Sequence, residues 1–133
     1  MSLSDVQRRH IVEVRLANAE QMLVDASNML DGGSLRSAAN RCYYAVFYAA
    51  SALAMRDNRT FHKHSGVISY FDAAYVKTGR LSKELGGIIR RAFDQRCETD
   101  YDDLVELRRD EVSETLQQAR RFVAEVKSLL QTT

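Results

Sequence analysis

The sequence predicts an all-α fold: an antiparallel bundle of four long helices plus one short helix, forming a single domain over residues 1–133. Three observations carry that expectation. Proline is absent, and only six glycines interrupt 133 residues rich in strong helix formers. Apolar residues recur at alternating spacings of three and four, which lines them along one side of a helix. No segment alternates apolar and polar residues as a half-buried strand would. The length suits one domain and is enough to bury a self-sufficient core.

The first helix should start near Ser4, whose hydroxyl can cap it while Gln7 completes a capping box. Val12, Leu16, Ala19, Leu23, Ala26 and Leu30 form its stripe. Asp31-Gly32-Gly33 ends it, because glycine readily takes the left-handed conformation. Ser34 is the expected cap of a second helix reaching about Arg56. Its core stripe is Leu35, Ala39, Cys42, Val46, Ala49 and Leu53. A neighbouring stripe of Ala38, Arg41, Ala45, Tyr48 and Ala52 would let another helix approach closely, and Tyr44 and Phe47 widen the apolar surface. A helix apolar over so much of its circumference belongs at the centre of the bundle, or between it and a partner subunit.

Residues 57–63 read as a basic connection. A shorter third helix should begin near Ser65, carry Val67, Ile68, Phe71 and Tyr75, and break at Lys77-Thr78-Gly79-Arg80. Ser82 can cap the fourth helix. There Leu85, Ile89, Ala92 and Arg96 fall at spacings of four, three and four, so Arg96 points along an apolar face. Residues 98–103 read as an acidic loop or frayed helix end. The last helix should start between Arg108 and Glu111, with Val112, Leu116, Ala119, Val123, Val126 and Leu130 as its seam.

No apolar run approaches the roughly 20 residues needed to cross a bilayer. The amino terminus lacks the apolar core of a signal peptide, so a cytoplasmic protein without membrane contact is expected. Met1-Ser2-Leu3 has the look of a vector-derived scar and carries no structural weight. Cys42 and Cys97 fit neither a disulfide framework nor a zinc spacing, and read as packing residues. The net charge of +1 conceals an uneven distribution. From Arg56 to Arg91 there are eight Lys/Arg against three Asp/Glu; from Asp94 to Glu114 nine acidic residues face three arginines. The two stretches could be complementary faces of a dimer, a phosphate site, or solvated helix faces.

Candidate functional residues follow from what is costly to bury. Arg41 sits among small and aromatic residues, and a buried guanidinium needs a carboxylate, backbone carbonyls or an anionic ligand. Arg96 poses the same question, with Asp94, Glu98, Asp100, Tyr101, Asp102 and Asp103 nearby in sequence. His62-Lys63-His64-Ser65 could bind phosphate at a helix start, and either histidine could move a proton near neutral pH. The histidine spacing lacks further metal ligands, and residues 100–106 do not match a calcium loop. No metal site or cofactor is expected. No phosphate-binding glycine loop, dinucleotide fingerprint or serine-hydrolase elbow occurs.

From about Val12 to Leu130 the chain resembles the HEPN domains, and within them the short stand-alone prokaryotic subgroup. The segments that carry the resemblance are residues 37–50 (SAANRCYYAVFYAA), His64-Ser65-Gly66-Val67-Ile68, Lys77-Thr78-Gly79 and residues 96–103 (RCETDYDD). The resemblance implies a compact bundle that commonly dimerises, often as a toxin paired with a small nucleotidyltransferase-like antitoxin. It also implies metal-independent RNA cleavage by an arginine followed four to six residues later by histidine. There a ribose 2′-hydroxyl attacks the adjacent phosphate, histidine handles protons and arginine stabilises the developing charge. Carried onto this chain, the arginine is Arg96, while Tyr101 takes the histidine position. A phenol with an ordinary pKa of about 10 is a poor base at neutral pH. No histidine follows His64, so catalysis of this type needs either the fold to bring His64 into the cleft or an unusually activated Tyr101.

Three functions therefore compete. In the first, a HEPN toxin cleaves RNA with Arg96, Tyr101 and His64 as catalytic residues, flanked by Arg41. In the second, Arg41, Arg96, Tyr101 and nearby carboxylates form a non-catalytic interface network. In the third, a nucleotide or small anion binds near Arg41, Tyr44, His62, Lys63 and Ser65.

Overall fold

The computed structural model describes residues 3–132; Met1 and Ser2, and with them most of the suspected scar, lie outside the described residues. Five helices follow one another: α1 (Asp5–Asp31), α2 (Leu35–Arg56), α3 (His64–Phe71), α4 (Glu84–Tyr101) and α5 (Arg109–Thr132). Four are long and α3 is short, and no strand occurs among the described residues. A single π turn, Asp72–Val76, extends α3.

Helix α1 begins as its sequence dictates. Ser4 accepts a hydrogen bond from the Gln7 amide, and the Gln7 side chain accepts one from the Ser4 amide. Its end is set by Gly33 at φ 81°, which lets the Ser34 amide reach back to Met29 O. Two expected caps behave differently. Ser34 precedes α2 but makes no side-chain capping bond. Ser82 does not cap α4, which starts at Glu84; its hydroxyl donates to the Glu125 carboxylate and ties the turn to α5.

Helix α2 is the central element and packs against each of the other four helices. Ala38, Ala45 and Ala52 are fully buried, so the small-residue stripe does admit a close neighbour, α1. Below it Phe71 meets Phe122 at 4.9 Å between ring centroids and stacks on Tyr75. The seam of α5 is buried from Val112 to Val126. On α4, Leu85, Ile89 and Ala92 are buried and Arg96 continues their line. Both cysteines are free; burial pushes the Cys42 thiol up to about 12, which makes it an inert packing group.

Candidate functional site

The site is built where the aromatic run of α2 meets α3 and the second half of α4. Tyr43 and Phe47 are one helical turn apart and their rings stack at 5.9 Å. Tyr44 meets Tyr43 edge-on at 5.1 Å. Arg96 crosses from α4 and lays its guanidinium over both tyrosines, 5.0 Å from the Tyr43 centroid and 5.2 Å from that of Tyr44. A cation over two ring faces is held by their quadrupoles as well as by packing. Nε lies 3.3 Å from Asp100 Oδ2, an ion pair that lacks hydrogen-bond alignment. The side chain stays 24% exposed.

His64, the first residue of α3, closes the other side. Its ring lies 4.0 Å from the Phe47 centroid, and Nδ1 is 2.8 Å from the Tyr43 hydroxyl. Tyr43 therefore carries Arg96 on its face and His64 at its tip. Burial and the positive charge of Arg96 both hold the His64 pKa below its ordinary 6.5, so the imidazole is neutral at pH 7. Burial pushes the Tyr43 phenol well above its usual range, and the guanidinium only partly offsets that. Tyr43 thus stays protonated and acts as a hydrogen-bonding bracket.

The remaining sequence candidates divide. Tyr44 joins the site. Tyr101 ends α4 with 89% of its surface exposed, and no ring stack, ion pair or hydrogen bond among the described residues links it to Arg96. Arg41, half-buried one turn before Tyr44, turns its guanidinium to Asn40 Oδ1 at 2.8 Å and makes no such link to Arg96 either. The neighbouring Asn40 amide thus engages Arg41, which takes no part in the Arg96 ring contacts. His62, Lys63 and Ser65 are exposed around the start of α3; Lys63 precedes the helix in an extended conformation without a side-chain cap. Among the described residues no group of three His, Cys, Asp or Glu side chains could hold a metal.

Sequence reasoning placed Tyr43 and Phe47 in the aromatic run of α2 without a site role, and gave Arg36 none. The aromatic pair at i and i+4 was a readable signal for the first two. Arg36 was not readable. From the start of α2 it donates to the carbonyl oxygens of Thr99 and Val105, the latter at 2.7 Å, and reaches that of Asp103 at 3.4 Å. It thereby ties down the carboxyl end of α4, where carbonyls lack helical partners and a cation is favoured. That clip fixes the acidic segment following Arg96.

A HEPN domain model matches residues 12–129. The chain belongs to the HEPN family. A UPF0332 protein of Thermotoga maritima is 38% identical, over 94% of this chain and 95% of its own length. Two proteins of Methanocaldococcus jannaschii are also similar. One, named "Putative toxin MJ0142", is 28% identical over 98% of this chain and 88% of its own length. The other, named "Putative toxin MJ0605", is 31% identical over 92% of this chain and 90% of its own. Among the described residues no helix of this HEPN protein is long and apolar enough to cross a membrane.

Proposed function

We propose that this HEPN protein is the toxin-type member of a toxin–antitoxin pair and cleaves RNA without a metal. The observation that carries this reading is the convergence of His64 and Arg96 on Tyr43, from helices far apart in sequence. The toxin names of two similar proteins support it. With Nδ1 donating its hydrogen to the Tyr43 oxygen, the bare Nε2 of His64 takes the proton of a ribose 2′-hydroxyl. The 2′-oxygen bonds to the adjacent phosphorus, the bond to the 5′-oxygen breaks, and that oxygen takes up a proton from water. The products are a 2′,3′-cyclic phosphate and a 5′-hydroxyl. Arg96, rigid on its two rings, stabilises the negative charge that builds on the phosphoryl oxygens. Tyr101, exposed at the end of the helix that carries Arg96, is proposed to orient the strand. The reading expects a homodimer and a small nucleotidyltransferase-like antitoxin as partner.

The test is a cleavage assay on varied single-stranded RNAs in excess chelator. Arg96→Ala should lower cleavage by about a hundredfold or more while circular dichroism reports an unchanged helix content. A pure wild-type protein that leaves every RNA intact would overturn the reading.

The second reading is a non-catalytic interaction module, favoured by the Asp100 carboxylate that already pairs with Arg96. In that case Arg96→Ala lowers dimer stability or partner affinity, and there is no cleavage to lose. Light scattering and thermal melting of the two proteins separate the readings.

A further inference from the structure

His64 has a second side. It forms part of the wall of a groove of about 540 Å3 bordered by α1, α2 and the α2–α3 connection. The polar groups along this groove are Arg15, Asn18, Ser51, Arg59, Thr60 and the two histidines, and none of its lining residues is acidic. A groove of similar volume near the start of α1 contrasts with it: there Asp5 and Glu13 sit among the arginines, and Arg8 pairs with Asp5 at 2.8 Å.

The two arginines of the His64 groove are fixed in place yet uncompensated. Arg15 donates to Ser51 O at 3.0 Å, and burial lowers its pKa from the ordinary value. Arg59 lies over the rings of Tyr70, at 5.0 Å, and Phe61, at 5.7 Å. Its backbone is anchored too, since Asn58 takes a left-handed conformation and the Arg59 amide donates to Ala54 O at 2.8 Å. Among the described residues no carboxylate lies within ion-pair distance of either guanidinium. Arg15 is half-buried and Arg59 exposed; guanidinium groups left without a carboxylate favour an anion, and their planar donors match a phosphate. The rings of Phe47, Tyr48 and Phe61 line the same groove. Phe61 can pack over the first turn of α3 only because residue 66 is glycine; a Cβ there would come within 2.9 Å of its ring.

We infer that this groove seats one nucleotide of a single-stranded RNA next to the scissile phosphate, its base against the aromatic wall and its phosphate between Arg15 and Arg59. The inference rests on the cleavage reading for its orientation, since His64 is shared by groove and site. The groove volume falls in the range of about 300–1,000 Å3 usual for small-ligand sites. Inorganic phosphate alone would need no rings, and an apolar ligand would need no arginines. A paired strand would hide its base faces, so an unpaired one is favoured.

The experiment uses a fluorescently labelled, fully 2′-O-methylated hexanucleotide, which binds but cannot be cleaved, beside the four ribonucleoside monophosphates and the same hexanucleotide in a duplex. The single strand should bind the wild-type protein at least about tenfold tighter than the duplex or any monophosphate. The double variant Arg15→Gln, Arg59→Gln should weaken single-strand binding by about tenfold or more while its melting curve stays close to wild type. Arg15→Lys with Arg59→Lys should restore part of it. On a cleavable RNA the Gln variant should raise KM with kcat little changed, whereas Arg96→Ala should lower kcat. If wild-type protein never cleaves RNA but the binding pattern holds, the cleavage reading fails and the groove stands. Single-strand binding that the double variant leaves intact, monophosphates binding as tightly as the strand, or no binding at all would each overturn the groove.

Discussion

Two regions of the molecule place arginine over tyrosine, with opposite consequences. In one, Arg96 lies on Tyr43 and Tyr44 with a single off-axis carboxylate beside it, and Tyr43 ends on a neutral histidine. In the other, Arg56 and Arg80 lie over Tyr75, but a carboxylate sits at the centre. Asp57 Oδ2 accepts hydrogen bonds from Tyr70, at 2.6 Å, and from Tyr75, while Arg56 donates to the Tyr75 hydroxyl and lies 3.6 Å from Asp57. At its centre that cluster is satisfied: both tyrosine hydroxyls donate to Asp57, and Arg56 lies beside the same carboxylate. It locks the end of α2 to the π turn after α3. The Arg96 cluster keeps its cation partly exposed and, among the described residues, leaves one ring nitrogen of His64 without a hydrogen-bond partner. Composition alone does not separate a brace from a reactive site; where the carboxylate falls does.

The largest expected effect breaks the open cluster. Arg96→Ala should reduce RNA cleavage by about a hundred- to a thousandfold, as loss of a charge-stabilising donor does elsewhere. Single-turnover rates on a defined oligonucleotide measure it. Next comes the brace: Asp57→Ala leaves two tyrosine hydroxyls without their acceptor and should cost about 3 kcal/mol of stability. Urea denaturation reads that loss, and cleavage per folded molecule should stay unchanged. Arg36→Ala removes charged hydrogen bonds to the end of α4 and should cost about 1.5–2 kcal/mol. It should also raise hydrogen exchange in residues 99–105. Tyr43→Phe is smaller, about 1 kcal/mol in stability for one lost hydrogen bond. In cleavage assays it should shift the acid limb of the pH profile, because the hydrogen-bond partner of His64 Nδ1 is gone.

The two regions should also titrate at opposite ends. His64 is held below its ordinary 6.5 by burial and Arg96, so between its folded value and 6.5 the unfolded chain binds more protons. Stability therefore rises with pH through that window and is lost as pH falls through it. Tyr70 is pushed up to about 12 by burial and by its bond to Asp57, so above its ordinary 10 the unfolded chain binds fewer protons. Stability falls as pH climbs from about 10 to 12. His64→Gln should flatten the acid side of the melting profile and Tyr70→Phe should reduce the alkaline slope, with Tyr43 supplying a further alkaline share.

The site was only half legible beforehand. Arg96 could be placed on an apolar face from its spacing to Leu85, Ile89 and Ala92, because helical period is a local property. The same logic found the stripe of α2 and the capping box at Ser4. It misjudged Ser82, whose hydroxyl reaches Glu125, 43 positions away. It also tied Arg41 to Arg96 through shared chemistry, without geometry to support the link. Arg15 and Arg59 carried no signal, since each looks like an ordinary surface cation until the acids around it are counted in space.

What the sequence by itself determined is therefore the set of helices, their buried faces and the family, since propensity, period and motif are all read along the chain. Only the tertiary structure decided which of 19 Lys and Arg are neutralised and which are left open. Charge pairing acts through distance in space. The crossing of α4 over α2, and the docking of α3 beside them, set those distances for Arg96, Tyr43 and His64.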